Sequence, residues 1–159
     1  MSSSKHHDHK RCVTSALENA AAICSSRGLR LTPLRRQILE LVWHSHRPLG
    51  AYSLMEMLAE HSGRKLVAPP TVYRTLDFLV EHGLIHRVHT LNAFVGCSHP
   101  AGPHSDVLFI CRECQTASEV HSPQVYKAIH ICAAEQQFKV VQQMLEVVGI
   151  CAGCAARKP

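Results

Sequence analysis

Apolar residues recur every three or four positions in several stretches of the first half of the chain, which predicts a helical N-terminal region. The first stretch covers residues 12–26, and Gly28 after it is typical of a helix end. Thr32, followed by proline, has the pattern of an N-cap and a first helical position, so a second helix is expected there. Residues 52–60 predict a short third helix.

A fourth helix is predicted by the segment APPTVYRTLDFLVEHGL, which begins with prolines and closes with Gly83. Its apolar positions fall on one stripe, made of Val72, Leu76, Leu79 and Val80. Arg74 and Phe78 point to the opposite side. The segments LIHRVHT and AFVGC, joined by Leu-Asn, then predict a short β-hairpin. Helices followed by a two-stranded ribbon are the layout of a winged helix-turn-helix domain, which we place at residues 12–90.

The second half follows a different pattern. Two strands are predicted by VLFIC and TASEV. A helix is predicted by SPQVYKAIHICAAEQQ, which starts with a Ser-Pro cap. A third strand, longer than average, is predicted by FKVVQQMLEVVGI. This β-β-α-β unit, residues 106–159, is short and has open strand edges, so we expect it to form a homodimer. Residues 91–105 are a predicted hinge, and residues 1–11 a predicted disordered arm. The expected fold class is α+β.

Composition narrows the class of protein. Hydrophobic residues make up 46% and charged residues 18% of the chain, as in ordinary globular proteins. We expect a cytoplasmic protein without a membrane partner, because no apolar run reaches the length of a membrane span or a signal sequence. Residues 1–90 carry twelve Lys/Arg and seven Asp/Glu, whereas residues 91–159 carry five of each. The positive excess of the first half favours an anionic partner there.

Eight cysteines in a reducing compartment are more typical of thiols or metal ligands than of disulfides. Cys111 and Cys114 form one CxxC pair, and Cys151 and Cys154 form another, with 36 residues between the two pairs. Two such turns can complete a closed, tetrahedral, structural zinc site. Redox or unrelated thiol pairs are the alternative, although neither pair opens a thioredoxin-like helix. The helical cysteines are interpreted as small buried hydrophobes: Cys12, Cys24 and Cys132.

A second group of candidate ligands surrounds the predicted hinge. It combines sulfur, nitrogen and oxygen donors, which suits zinc, in the set His86, Cys97, His104 and Glu119. A metal held by side chains from both halves would stabilise only one arrangement of the halves, which is the basis of a switch. For each of these residues alone, a solvated side chain is the alternative.

The motifs LRLTPLRRQILEL, PPTVYRTLDFL, LFICRECQTASE and VVGICAGC together resemble the ferric uptake regulator family, in the family order and over nearly all the chain. The likeness is greatest to its zinc-uptake-regulator branch, because the iron-sensing branch carries a His-rich run where this chain has GPHSDVLFIC. The resemblance implies two zinc ions per chain, one at the four paired cysteines and a regulatory one at the mixed set. His99 and His89 stay open as competing ligands of the regulatory site. His121 and His130 stay open as a third metal site.

The resemblance also implies a zinc-responsive repressor that binds operator DNA as a zinc-loaded dimer and represses zinc-uptake genes. Arg74, on the outer side of the predicted recognition helix, can reach guanine in the major groove. The other DNA-contact candidates are Tyr52, Thr71, Tyr73 and, for phosphate, Arg35.

Two alternatives to this function stay open. One is a regulator of the same family that senses another metal or peroxide, and the other is a zinc-storage or thiol protein without DNA binding. We expect no enzyme and no small-molecule substrate, because the chain has neither a Ser/His/Asp pattern nor a phosphate-binding Gly-rich loop.

Overall fold

The computed structural model describes residues 9–45, 47–61, 63, 67–102, 106–141 and 143–157. Along the chain it has α1 (His9–Ser26), α2 (Pro33–Trp43), β1 (Leu49–Gly50), α3 (Ala51–His61), α4 (Pro69–Glu81), β2 (Ile85–Val88), β3 (Ala93–Gly96), β4 (Asp106–Cys111), β5 (Ala117–His121), α5 (Pro123–Glu135), β6 (Leu145–Gly149) and α6 (Ala152–Ala155). This mixture of helices and sheets confirms the predicted α+β class.

The helix ends follow the local signals in the sequence. Gly28 and Gly83 have φ values of 65° and 69°, the left-handed conformation that glycine adopts without strain. Each closes its helix with the hydrogen-bond pair of a Schellman motif. The Thr32 side chain caps α2 by accepting a hydrogen bond from the Arg35 amide. The first helix begins at His9, three residues before the predicted start, so the predicted disordered arm does not extend through residue 11.

One apolar core holds the first four helices and the first sheet together. Leu39, Leu54 and Leu76, from three different helices, are each at most 1% exposed. The stripe predicted on α4 is buried, although its last member, Val80, is only half-buried. Burial of these side chains supplies the main stabilisation, because removing apolar surface from water contributes about 25 cal/mol per Å².

The first sheet has three strands in the order β1-β3-β2, all antiparallel. The predicted ribbon is therefore correct for β2 and β3, while the pairing of Leu49 with Phe94 adds a third strand that the prediction lacked. Two residues carry too little periodicity to signal a strand. Because β3 pairs with β2 as far as Gly96, this sheet extends past residue 90, the predicted end of the winged-helix domain. The division into domains stays a prediction.

The second sheet has the order β5-β4-β6, with β6 parallel to β4. The predicted β-β-α-β sequence is correct, but the predicted long third strand is wrong, because β6 covers only Leu145–Gly149. A strand extends as far as its pairing, and β6 pairs with β4 from Val107 to Cys111. The pairing of Cys111 with Gly149 brings the two CxxC segments to the same end of the sheet.

The two halves meet through a small set of contacts. Val88 of β2 packs with Leu108 and Ile110 of β4 in a small buried cluster separate from the main core. Among the described residues, no helix or strand of the first half packs broadly against one of the second. None of the described helices combines the length and apolar character that crossing a membrane requires.

Candidate metal centres and nucleic-acid interface

The four paired cysteines lie together where β4 ends and α6 begins. The sulfur atoms of Cys111, Cys114, Cys151 and Cys154 all lie within 4.8 Å of one another. A tetrahedral zinc–thiolate site, with bonds of about 2.3 Å, has sulfur atoms about 3.8 Å apart. The Cys114 and Cys151 sulfurs are 3.8 Å apart, so the donor set and its spacing fit a tetrahedral metal ion.

Hydrogen bonds prepare part of this cluster for metal binding. The Cys151 amide donates to the Cys111 sulfur over 3.3 Å and lowers the pKa of Cys111 to about 6, so its thiolate predominates at neutral pH. The Thr116 side chain lowers the pKa of Cys114. The Cys151 side chain, with burial, raises the pKa of Cys154 to about 12. Four thiolates this close repel one another, so full ionisation requires a bound cation.

The mixed cluster lies between the two halves. His86 comes from β2, Cys97 follows β3 and Glu119 comes from β5, and their ligand atoms lie within 4.8 Å of one another. His86 Nε2 and Glu119 Oε1 are 2.8 Å apart, and the Cys97 sulfur is 3.7 Å from the same oxygen. Cys97 is 2% exposed, whereas the His86 side chain is 18% exposed, so water reaches the cluster from the His86 side. Three donors of these types suit zinc, and the fourth position belongs to another ligand.

A backbone amide orients the carboxylate of the mixed cluster. The Ser98 amide donates to Glu119 Oε2 over 2.6 Å, which leaves Oε1 directed at His86 and Cys97. Such second-layer hydrogen bonds typically change metal affinity by about 10–100-fold. Sequence reasoning missed this contact, because a backbone donor leaves no residue-type signal.

The remaining histidines are distributed differently. His104, the predicted fourth ligand of the mixed site, lies outside the described residues. The His99 ring lies beside His121, with 6.4 Å between the ring centroids, and His130 stacks on Tyr126. Within the described residues, only the two clusters above bring three or more candidate ligands together, so His121 and His130 do not form such a group. The assignment of individual ligands stays a prediction.

The single tryptophan packs beside the mixed cluster. A Cβ atom at Gly96 would meet the Trp43 indole at 2.3 Å, so only glycine allows this packing. Gly96 directly precedes Cys97, and Trp43 ends α2. The contact therefore ties a helix of the first half to the backbone of a candidate metal ligand, a role that sequence reasoning did not identify.

Most of the candidate DNA-contact residues of the first half are exposed. Tyr52 is 76% and Tyr73 41% exposed, and Arg74 and Thr71 are also exposed. Arg35 is held differently: its guanidinium lies 3.4 Å above the Phe78 ring and donates to the Arg30 carbonyl. The prediction that Phe78 points outward is therefore only partly correct, because Arg35 covers the ring and leaves it half-buried.

Together these features define a winged-helix protein with a four-cysteine centre and a mixed-ligand centre. The model of the ferric uptake regulator family matches residues 26–148. The zinc uptake regulation protein of Escherichia coli K12 is 36% identical over 146 residues, which cover 91% of this chain and 84% of that protein. The chain belongs to the ferric uptake regulator family.

Solved structures of related proteins agree in overall arrangement. A zinc uptake regulator complexed with zinc and DNA superposes with a TM-score of 0.84, at 35% identity over 91% of this chain and 95% of that one. Holo XcZur gives a TM-score of 0.81 at 40% identity, covering 89% of this chain and 98% of its own. Apo XcZur, also at 40% identity and covering 91% and 99%, gives only 0.55. This chain therefore superposes more closely on the holo form than on the apo form.

Proposed function

We propose that this protein is a zinc-responsive transcriptional repressor that binds operator DNA as a zinc-loaded homodimer and represses zinc-uptake genes. The observation that carries the proposal is the mixed cluster between the halves: His86 and Cys97 come from the first half and Glu119 from the second. The similarity to zinc uptake regulators over most of the chain supports the same reading. We infer a cytoplasmic location, where a repressor meets operator DNA.

We assign the two clusters different roles. The four-cysteine cluster would hold zinc permanently, because four thiolate ligands close the coordination shell and leave no open position. The mixed cluster would respond to zinc supply, because imidazole and carboxylate ligands hold zinc less strongly than thiolates. One cysteine among its donors favours zinc over iron or manganese, whose sites are rich in oxygen and nitrogen.

Zinc and DNA would favour the same pose. The resemblance of this chain to holo XcZur, and its weaker resemblance to the apo form, supports two arrangements of the halves. A ligand shifts such an equilibrium by its difference in affinity between the two arrangements. Because coupling between two sites is reciprocal, bound DNA would raise zinc affinity by the factor by which zinc raises DNA affinity.

The surface of the second half supports the homodimer. Ten of the twelve large apolar side chains that are exposed in the described ranges lie at or beyond Phe109. Helix α5 contributes Tyr126 and Ile131 to this set and buries no residue of its own within the chain. A concentration of exposed apolar side chains of this kind is typical of an interaction site. A second copy on it would place two recognition helices on one duplex.

Binding of selected DNA across a buffered zinc series tests the function. The probe is a duplex enriched from a random pool by the zinc-loaded protein. We expect about 10- to 100-fold tighter binding, measured by fluorescence anisotropy, between chelator and saturating zinc. Iron(II) and manganese(II) at matched free concentrations should give at most a small fraction of this change. Equal DNA affinity with and without zinc would refute the proposal. A larger response to iron than to zinc would mean that the protein senses iron.

Arg74→Ala should weaken binding to the selected duplex by about 1–3 kcal/mol while zinc content stays unchanged. The reason is that Arg74 is exposed on α4, where its guanidinium can donate two hydrogen bonds to one guanine. Lys139→Ala, which removes an equal charge from an exposed position in the second half, is the matched control. Wild-type affinity in Arg74→Ala would eliminate its role as a base contact.

A further inference from the structure

The tip of the β2–β3 hairpin is bound by a carboxylate from the other half of the chain. Glu146 of β6 accepts a hydrogen bond from the His89 amide over 2.6 Å and another from the Thr90 amide over 2.9 Å. The Thr90 hydroxyl donates to the same carboxylate. These residues are more than 50 positions apart in the chain, so the contact exists only when the two halves lie in this arrangement.

The hairpin tip has a conformation that directs these donors at Glu146. The Asn92 amide donates to the His89 carbonyl, and Arg87 donates to the Asn92 side chain over 3.1 Å. Asn92 itself has a φ of 47°, which turns the chain back at this point. Burial raises the pKa of Glu146, and the hydrogen bonds from Thr90 and His89 more than offset it, so the pKa lies below its usual value. The carboxylate is therefore ionised and an acceptor at both oxygens.

A cleft lies beside this contact. A cleft of about 580 Å³ separates the halves beside the hairpin, and His86, Arg87, Tyr126 and Glu146 are among the residues that line it. The mixed cluster uses His86, on the same strand as the hairpin tip, and Glu119, on the second sheet. Glu146 therefore joins the same two sheets as the mixed cluster, by a contact that includes none of the three residues of that cluster, His86, Cys97 and Glu119.

We propose that Glu146 is a positioning residue that holds the β2–β3 hairpin against the second sheet and thereby sets the zinc concentration at which the protein binds DNA. The proposal rests on the function proposed above. The contact stabilises the arrangement in which the mixed-cluster donors converge, so it raises the fraction of metal-free protein that is ready to bind zinc. Apparent zinc affinity is the intrinsic affinity multiplied by that fraction.

Glu146→Gln tests the proposal in the full-length dimer. The amide can accept at one oxygen only and presents an NH2 group to one of the two backbone donors, so the contact is weakened without a change in side-chain size. We expect the free-zinc midpoint for binding the selected duplex to rise about tenfold. At saturating zinc, affinity should return to within about twofold of wild type, because zinc then holds the pose. Thr90→Val keeps both amide donors and should shift the midpoint less, in the same direction.

Glu18→Gln, at an exposed position of α1 that belongs to none of the proposed sites, is the matched control and should leave the midpoint unchanged. Zinc competition against a chromophoric chelator, without DNA, measures the mixed site independently. If Glu146→Gln has the wild-type zinc midpoint in that titration, the inference is wrong, even if DNA binding by the wild-type protein responds to zinc. A merely structural role would lower DNA affinity at saturating zinc as well, and that result also overturns it. A tenfold shift of the midpoint in the chelator titration, together with DNA binding that does not respond to zinc, supports the positioning role of Glu146 and refutes the proposed function.

Discussion

Cys111→Ser should release the tightly bound zinc and destabilise the second half enough to break the dimer. Cys111 ends the central strand β4, is 4% exposed and accepts a hydrogen bond from the Cys151 amide, so the substitution opens the cluster at its most buried point. For a structural site the free energy of metal binding is part of the folding free energy. We expect about one zinc fewer per chain by elemental analysis and a melting temperature lower by more than about 10 °C.

The matched control for this change is Cys132→Ser. The structure exposes Cys132 on α5, contrary to its interpretation as a buried hydrophobe, and both replacements exchange a thiol for a hydroxyl. The control should keep wild-type zinc content and elute as a dimer from a sizing column. A Cys111→Ser protein that keeps its zinc, its dimer and its melting temperature would show that the four-cysteine cluster is not a structural metal site.

Cys97→Ser should abolish the zinc response while leaving the protein folded and dimeric. Cys97 follows β3 and belongs to the mixed cluster, not to the four-cysteine cluster, so tightly bound zinc should remain. Its thiol is the only sulfur donor of the mixed cluster, and a hydroxyl is a much poorer zinc ligand. Removing a group that hydrogen-bonds a metal ligand typically costs about 10–100-fold in metal affinity. Removing a ligand itself should cost more, so the zinc midpoint should rise by more than about a hundredfold.

The measurement is anisotropy of the selected duplex across the same buffered zinc series, with sizing and elemental analysis to establish dimer and residual zinc. Cys132→Ser again serves as the control for the thiol-to-hydroxyl exchange. A Cys97→Ser protein with wild-type zinc dependence would remove Cys97 from the regulatory site. Loss of the dimer in this variant would instead mean that the mixed cluster has a structural role.

Much of the fold could be predicted because its signals are local. A cap at Thr32, a glycine at position 28 or 83 and an apolar stripe on α4 depend on neighbours within a few residues, and these predictions are confirmed. Strand lengths were harder. The extent of β6 depends on how much of β4 is available to pair, which is a property of a distant segment. The two-residue β1 exists only because Phe94 lies opposite Leu49.

The candidate metal ligands also divide into those that local sequence predicts and those that only the fold brings together. A CxxC turn holds two sulfurs on one side by local geometry, and two such turns in one chain predict a four-sulfur cluster, which the structure forms. For the mixed cluster the residue types pointed to a site, but the convergence of His86, Cys97 and Glu119 depends on the arrangement of two sheets. The covering of Phe78 by Arg35 is likewise a tertiary contact that periodicity alone does not predict.

By itself, the sequence determined which segments become helices and hairpin, which side chains can bind metal, and that the chain has an anion-facing half and a cysteine-rich half. The tertiary structure alone decided which distant groups meet. It placed Trp43 against Gly96, the Ser98 amide on Glu119, and Glu146 on the hairpin tip. The physical reason is that local signals act through backbone geometry within a few residues, whereas these contacts require the whole chain to close on itself before any of them forms.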